Sequence, residues 1–207
     1  MIYPKNNNII KWGFHTYVHW IIARNLNQID FNTINIDKYR PVLLIANHSG
    51  FWDGFLSYYI NCKLFKKKFH IMLLEKTAKR IPVLKYGGAF SINKKSKDII
   101  ESLDFAAQLL NEPDNLVLIF PQGKLYSNFI TTVEFEKGVM KILKQAEGKF
   151  QLVFSAMFIE HFQHKKPDAT IYLKAIADVD FDTIDELQTA YQQHYNDARL
   201  QQIEKTV

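Results

Sequence analysis

Two residues that could do chemistry lie close together in the segment ANHSGFWDGF, residues 46–55, directly after the apolar run PVLLI. They are His48 and Asp53, with four residues between them. An ideal helix would point their side chains about 140° apart, so they can meet only where the chain bends. In that geometry the Asp53 carboxylate accepts a hydrogen bond from one imidazole nitrogen, and the other nitrogen becomes an outward-facing proton acceptor.

The residues between the pair allow such a bend. Gly50 is a flexible point before a helix that we expect to begin at Trp52 or Asp53. Ser49 is expected to point away from the imidazole, so the general base would act on a hydroxyl or amine of the substrate. An isolated H-x4-D pattern more often has a structural explanation, in which Asp53 caps a helix and His48 is a hydrogen-bonded loop histidine. The surrounding segments have to decide between the two.

The alternation of predicted strands and helices favours a layered α/β fold, in which a largely parallel sheet is flanked by helices. We predict strands at 42–46, 69–74 and 90–92 and in the segments NLVLIFPQG, FQLVFSAMFI and ATIYLKAIADV. We predict helices at about 52–65, from a Ser96 cap to Pro113, in EKGVMKILKQAEG up to Gly148, and in a polar, surface-lying C-terminal segment. The helix after Ser96 has a predicted inner stripe of Ile99, Ile100, Leu103, Ala106, Ala107 and Leu110.

Parallel strands bring the loops at their carboxyl ends to one ligand site. The turns NHSGFWD and PQGK each follow a buried strand, and the segment GGAFSINKK surrounds a short one.

With 207 residues, 47% of them hydrophobic, we expect a single domain over residues 1–207, with a motif-bearing core over 40–160.

Residues 1–30 are predicted to contain an amphipathic N-terminal helix. Its apolar residues recur at helical spacing, and its Trp and Tyr residues are types that favour a membrane interface. The first set is Ile10, Phe14, Val18 and Ile21, and the second is Trp12, Tyr17 and Trp20. No stretch reaches the roughly 18–20 apolar residues that a spanning helix needs. The helix could lie on a bilayer, pack on the core, or do both with different faces.

The charge distribution is uneven although the net charge is only +5. Between Lys63 and Lys97 there are eleven Lys or Arg residues and one acidic residue, Glu75. Such a basic face suits phosphate, nucleic acid or an anionic membrane surface, and solvated lysines are an equally simple explanation. The single cysteine, Cys62, excludes an internal disulfide and a Cys-rich zinc site. No N-terminal segment has the pattern of a secretion signal, so a cytoplasmic setting is expected.

Four segments together resemble a known family. NHSGFWD closely resembles the N-H-x4-D block of the glycerolipid acyltransferases, the PlsC-like lysophospholipid acyltransferases. The later blocks of that family have counterparts in the expected order: GGAFSINKK at 87–95, FPQGK at 120–124 and LVFSAMF at 152–158. The resemblance covers roughly residues 40–160, and its first and third blocks are the specific ones. It implies a glycerol-phosphate-acyltransferase-like fold.

The resemblance also implies an activity: transfer of a fatty acyl group from acyl-CoA or acyl carrier protein to a hydroxyl of a membrane lipid. His48 would be the general base and Asp53 would orient it and stabilise its positive charge. No metal or prosthetic group is implied. The implied partners are an acyl thioester donor, a lipid acceptor and a membrane surface, with the protein peripheral on the inner face of the cell membrane. Backbone N–H groups near Gly123 are candidates for stabilising the oxyanion.

The implied acceptor site departs from the family pattern. Gln122 replaces the usual glutamate, Lys124 and Leu125 replace Thr-Arg, and Asn93 and Lys94 replace Asp-Arg. The predicted acceptor-binding residues are Asn93, Lys94, Gln122, Gly123 and Lys124, and the lysines, with Lys95, could bind phosphate as point charges. These departures make lysophosphatidic acid a less secure prediction for the acceptor than the family pattern alone would make it, and an amino-acid-containing lipid, a pigment or a glycolipid is an alternative.

Two other functions fit the same residues. One is a non-catalytic lipid-binding or membrane-recruited protein in which Gln122 marks lost chemistry. The other is a hydrolase that uses water as acceptor at His48 and Asp53. Nucleic-acid binding is not expected, because no RNA- or DNA-binding module is recognisable in the chain.

Overall fold

The computed structural model describes residues 1–93, 98–146, 149–177 and 179–206. The strands are β1 Ile29–Phe31, β2 Val42–Ala46, β3 Lys68–Leu74, β4 Ala89–Ile92, β5 Asn115–Ile119, β6 Gln151–Glu160 and β7 Asp168–Ile176. The helices are α1 Asn8–Asn25, α2 Trp52–Ile60, α3 Glu75–Arg80, α4 Asp98–Leu109, α5 Gly138–Gln145 and α6 Ile184–Ile203. A π-helical turn, Asn61–Phe65, continues α2, and a 3₁₀ helix, Pro82–Gly87, precedes β4.

The seven strands form one sheet in the order β1-β7-β6-β2-β5-β3-β4. Strands β4, β3, β5, β2 and β6 are mutually parallel, whereas β7 is antiparallel to β6 and β1 runs parallel to β7. The predicted layered, largely parallel α/β fold is therefore confirmed. Its parallel arrangement brings the turns after β2, β3, β4 and β5 to the same edge of the sheet.

Helices cover both faces of the sheet, and β2 shows this most clearly. Val42 and Leu44 pack in the cluster that includes α1 and α2. Leu43 and Ile45 pack in the cluster that includes α4, α5 and α6. A strand buried on both faces has no polar alternate positions, which explains the continuous apolar run in the sequence.

Helix α1 packs on the core through one face. The buried residues are Phe14, Val18 and Ile22. The prediction is correct for Phe14 and Val18, whereas Ile22 is buried in place of Ile21. The ring of Phe14 lies so close to Gly87 that a side chain there would clash with it. Within the described part of the chain, no helix combines the length and apolar character needed to cross a bilayer.

The helix predicted over about 52–65 changes form near its end. The α-helix stops at Ile60, and the next five residues form a π-helical turn that ends at Lys66, whose φ is 56°. The Asn61 side chain holds this turn, since its Nδ2 donates to the Lys67 carbonyl at 2.8 Å and its Oδ1 accepts from the Lys67 N–H at 3.2 Å.

Helix α4 differs from the prediction at one position. Leu103 is buried as expected, but Ile100 is 55% exposed and does not belong to the inner stripe. Ile99, which the prediction also placed in this stripe, does pack against the core, and two successive residues of a helix point in directions about 100° apart. The predicted cap Ser96 and the predicted helix end Gly148 lie outside the described residues.

The C-terminal helix α6 is polar but is more than a surface helix. Its inner face buries Tyr191 and Tyr195 completely. Two glutamines on α6 also hold the loop before α5, because Gln192 accepts from the Val133 N–H and Gln188 from the Phe135 N–H, both at 2.8 Å. The expectation of a surface-lying helix therefore missed its role in positioning a loop.

The two edges of the sheet are short or covered. Strand β1 has only three residues. At the opposite edge, the N-terminal segment lies against β4: the Ser91 N–H donates to the Ile2 carbonyl at 3.0 Å, and the Ile2 N–H donates to Ser91 Oγ at 2.7 Å.

Candidate active site

The turn between β2 and α2 brings His48 and Asp53 together. Their Nδ1 and Oδ2 atoms are 2.8 Å apart. The same carboxylate oxygen accepts hydrogen bonds from the backbone N–H groups of Ser49 at 2.7 Å and Gly50 at 2.8 Å. Asp53 is fully buried, so three donors take the place of water around its charge. The carboxylate thus shapes the turn and orients the imidazole at the same time.

The His48 ring is held in place by the loop that follows β5. It stacks on the Phe120 ring with 4.1 Å between centroids and 12° between planes. The backbone N–H of His48 donates to Gln122 Oε1 at 2.7 Å. The backbone carbonyl of His48 accepts from the Tyr126 N–H at 2.9 Å. The His48 side chain is 25% exposed. With Nδ1 bonded to the carboxylate, Nε2 is the nitrogen that remains for proton transfer.

The bend predicted from the spacing is present, but it does not depend on glycine. The left-handed glycines among the described residues are Gly88 and Gly123, so Gly50 needs no special φ. A Cβ at Gly50 would meet nothing within 4 Å. The Ser49 side chain contacts the carboxylate, with its Oγ 3.5 Å from Asp53 Oδ1.

A second side chain in this turn, Asn47, was not singled out from the sequence. It is buried at the end of β2, where its Nδ2 donates to the Met157 carbonyl at 2.9 Å and its Oδ1 accepts from the Met157 N–H at 2.7 Å. An amide can pair with a peptide unit in this way, as a strand would. A polar residue directly after five buried apolar ones was the available signal.

Helix α6 supports the turn from below through Tyr191. The Tyr191 hydroxyl donates to the Ser155 carbonyl at 2.7 Å and also hydrogen-bonds the backbone of Asn47. Burial raises the pKa of Tyr191 well above its ordinary value, so the hydroxyl keeps its proton and remains a donor. The base of the turn is therefore fixed by β6 and α6 together.

The predicted acceptor residues Gln122 and Gly123 lie in the turn after β5. Gln122 is 3% exposed, and its Nε2 is buried without a hydrogen-bond partner among the described residues. Gly123 has a φ of 64°, which favours glycine, and its N–H donates to the Phe120 carbonyl at 3.1 Å. Because the turn already uses this N–H, Gly123 itself is a poor candidate for the oxyanion donor.

The other predicted acceptor residues lie farther from His48. Lys124 is exposed, with its Nζ 5.1 Å from the centre of the Tyr126 ring. Asn93 directly follows β4 at the same sheet edge and hydrogen-bonds Glu75. Since β4 is three strands from β2, about 14 Å separates their ends. Lys94 lies outside the described residues.

Exposed apolar side chains lie next to both turns. Phe51 is 61% exposed, and its ring packs 5.3 Å from Trp52 and 5.0 Å from Phe55. On the other loop, Leu125 is 59% and Phe129 88% exposed. A partly exposed histidine with apolar side chains on the neighbouring loops suits a substrate that has a polar reacting group and a hydrocarbon part.

Two other histidines are part of the core. His70 contacts Asn115 Oδ1 at 3.3 Å, and His194 Nε2 donates to the Tyr172 carbonyl at 3.0 Å. Burial lowers the pKa of each imidazole to about 4, so both are neutral at pH 7. They have no exposed proton acceptor comparable to that of His48.

The Acyltransferase family model matches residues 28–171 of the chain, which include both turns. The chain belongs to the acyltransferase family. The family suggested by NHSGFWD and FPQGK is thus confirmed. The residues matched by the family model end within β7, so helices α1 and α6 lie outside the match. A search of the curated proteins finds no match to the chain.

Proposed function

We propose that this acyltransferase moves a fatty acyl group from an acyl thioester, acyl-CoA or acyl carrier protein, to a hydroxyl of a lipid acceptor. The observation that carries the proposal is the 2.8 Å contact between His48 Nδ1 and the buried Asp53 carboxylate, on a ring that is 25% exposed. A carboxylate in this position selects the tautomer in which Nε2 accepts a proton.

In the proposed reaction, Nε2 of His48 takes the proton of the acceptor hydroxyl as its oxygen attacks the thioester carbonyl carbon. The carbon–sulfur bond then breaks, and the leaving sulfur takes the proton from the imidazolium. Asp53 stabilises the imidazolium between these two steps. The proton count balances within one cycle, so the reaction needs no metal or prosthetic group.

Direct transfer is preferred over an acyl-enzyme intermediate because of the position of Ser49. Its Oγ is 3.5 Å from the Asp53 carboxylate and its N–H donates to the same group. A nucleophilic serine would instead need a hydrogen bond to the imidazole that activates it. The substrate hydroxyl is therefore the attacking group.

For the acceptor, we propose a lipid whose polar group is recognised by Gln122 and Lys124, with Asn93 and Lys94 kept as further acceptor-binding residues from the sequence. The unpartnered Nε2 of Gln122 is a donor where the family glutamate would be an acceptor. A neutral amide N–H at this position would donate a hydrogen bond to an oxygen of the lipid, and the lysines would suit a negatively charged group of the lipid. An amino-acid-containing lipid, a pigment or a glycolipid meets this description, as does a phosphate.

We also propose that helix α1 contacts the inner face of the cell membrane. Ile9, Trp12 and Trp20 are 81%, 70% and 52% exposed and lie on the side of α1 opposite its buried face. Arg24 lies 5.2 Å from the centre of the Trp20 ring. Tryptophan beside a cation is favoured at the boundary between lipid headgroups and acyl chains.

The test measures thiol release from acyl-CoA by the purified protein in the presence of a total lipid extract. We expect His48→Gln to lower the rate by about 10²- to 10⁴-fold, the range attributed to general bases. The matched control is His164→Gln, which changes an exposed loop histidine and should leave the rate unchanged. Equal rates in the wild type and His48→Gln would refute the role of His48.

The same assay separates the alternative functions. Thiol release that continues without lipid and yields free fatty acid would identify a hydrolase. Binding to liposomes with no thiol release for any donor would identify a non-catalytic lipid-binding protein. Mass spectrometry of the lipid product would name the acceptor.

A further inference from the structure

Two histidines and the single cysteine come together where α1 crosses the end of α2. His15 and His19 are one helical turn apart on α1, and their ring centroids are 4.4 Å apart. Cys62 lies on the π-helical turn, with its Sγ 3.8 Å from His15 Nδ1. One donor atom from each of the three residues lies within 4.8 Å of the other two. Three ligand atoms from two elements thus face a common point.

The buried side of this cluster contains a polar atom without a partner. His19 Nε2 is inaccessible to solvent and makes no hydrogen bond to any described residue. Leaving a polar nitrogen buried in this way costs free energy, so such atoms usually have a ligand or a water.

We propose that His15, His19 and Cys62 bind a zinc-type divalent metal ion that fastens helix α1 to the end of α2. Imidazole and thiolate donors select zinc and similar ions over magnesium and calcium, which prefer oxygen. In a tetrahedral zinc site, bond lengths near 2.0 Å to nitrogen and 2.3 Å to sulfur separate these donors by about 3.5 Å. Small side-chain rotations bring the three atoms to that spacing, and a water completes the fourth position.

The surroundings of Cys62 fit this assignment. The Tyr58 hydroxyl hydrogen-bonds Cys62, so it can act as an outer partner that orients the thiolate. Metal binding displaces the thiol proton, and one proton passes to solvent for each ion bound. The π-helical turn itself supports the inference, since such turns are frequent at functional sites.

The site is structural rather than catalytic. Cys62 follows Asp53 by nine residues along α2, which separates the two by about 14 Å. The ion would therefore add a ligand-based link to the apolar contacts of Phe14, Val18 and Ile22 that hold α1. This inference does not depend on the proposed acyl transfer.

The test uses untagged, metal-free protein titrated with Co²⁺ and then with Zn²⁺. We expect one equivalent of Co²⁺ to produce a sulfur-to-cobalt charge-transfer band together with the intense visible bands of tetrahedral cobalt, and Zn²⁺ to abolish both by displacement. Zinc should also protect Cys62 from alkylation, which is a simple readout because the chain has one cysteine. Absence of the charge-transfer band in the wild type would overturn the proposal.

Variants then identify the ligands. Cys62→Ser should lose the charge-transfer band, and His19→Gln should weaken zinc binding by more than about 100-fold, since the loss of even an outer partner costs 10- to 100-fold. His164→Gln is the control and should bind as the wild type does. Unfolding midpoints measured without metal should agree among the variants. Unchanged zinc affinity in both Cys62→Ser and His19→Gln would overturn the assignment.

Discussion

The two turns that meet at His48 differ in how completely the protein satisfies their polar groups. In the turn after β2, the Asp53 carboxylate has three donors, and both polar atoms of the Asn47 amide pair with Met157. In the turn after β5, Gln122 uses its oxygen, its buried Nε2 has no hydrogen-bond partner in the part of the chain that the structure describes, and Lys124 is exposed. In the proposed acyl transfer, the first turn would be preorganised before substrate arrives, whereas Gln122 Nε2 in the second turn would donate to the substrate.

The largest expected effect comes from breaking the first turn at Asp53→Asn. The amide keeps an oxygen for the Ser49 and Gly50 N–H groups but no longer selects the tautomer of His48. We expect kcat for thiol release to fall by about 10³- to 10⁴-fold, the loss typical of removing the carboxylate behind a catalytic histidine. Circular dichroism should show an intact fold. A folded variant with a rate within tenfold of the wild type would show that the carboxylate only shapes the turn.

A smaller effect is expected at the link between the turns, Gln122→Met. Methionine fills similar volume but cannot accept from the His48 N–H, which leaves a buried donor unsatisfied at a cost of about 1–3 kcal/mol. We expect kcat/KM to fall by about 10- to 100-fold because His48 is less firmly positioned. Steady-state kinetics with acyl-CoA and the total lipid extract would measure this fall in kcat/KM.

The matched variant is Gln122→Glu, which keeps an acceptor for the same N–H and adds a negative charge next to His48. Because the contact with the His48 N–H is kept, Gln122→Glu should lose less kcat/KM than Gln122→Met. If Gln122→Met and Gln122→Glu lost activity equally, the contact with the His48 N–H would not be what matters at this position.

The smallest effect is expected at the exposed end of the second turn, Lys124→Ala. An exposed cation contributes about 0–1 kcal/mol to a single contact, so KM for an anionic acceptor should rise by at most about fivefold while kcat stays constant. Raising the salt concentration should reduce the difference between the variant and the wild type. A change in kcat alone would place Lys124 closer to the reacting atoms than its exposure indicates.

The fold was predictable where apolar residues lie next to one another in sequence. The runs VLLIA and NLVLI become β2 and β5, because strands buried on both faces contain no polar residues. The meeting of His48 and Asp53 was also predictable, since both lie in one short turn. These features depend on residues that are close along the chain.

The contacts that could not be predicted from the sequence join residues that are far apart along the chain. Tyr191 on α6 contacts Ser155, and Gln192 holds Val133, although the helix is polar by composition. Phe120 stacks on a histidine more than seventy residues earlier, and Gln122 bonds the same residue. No local periodicity reports such contacts, because each depends on which strands become neighbours in the sheet.

The N-terminal segment beside β4 has a consequence for how many copies of the protein can share one surface. An open sheet edge offers unpaired N–H and C=O groups to any neighbouring chain, and this pairing is a common route to aggregation. Here the Ile2 carbonyl accepts from the Ser91 N–H, and the opposite edge, β1, is only three residues long. Two molecules that meet side by side would therefore find little free strand edge through which to join.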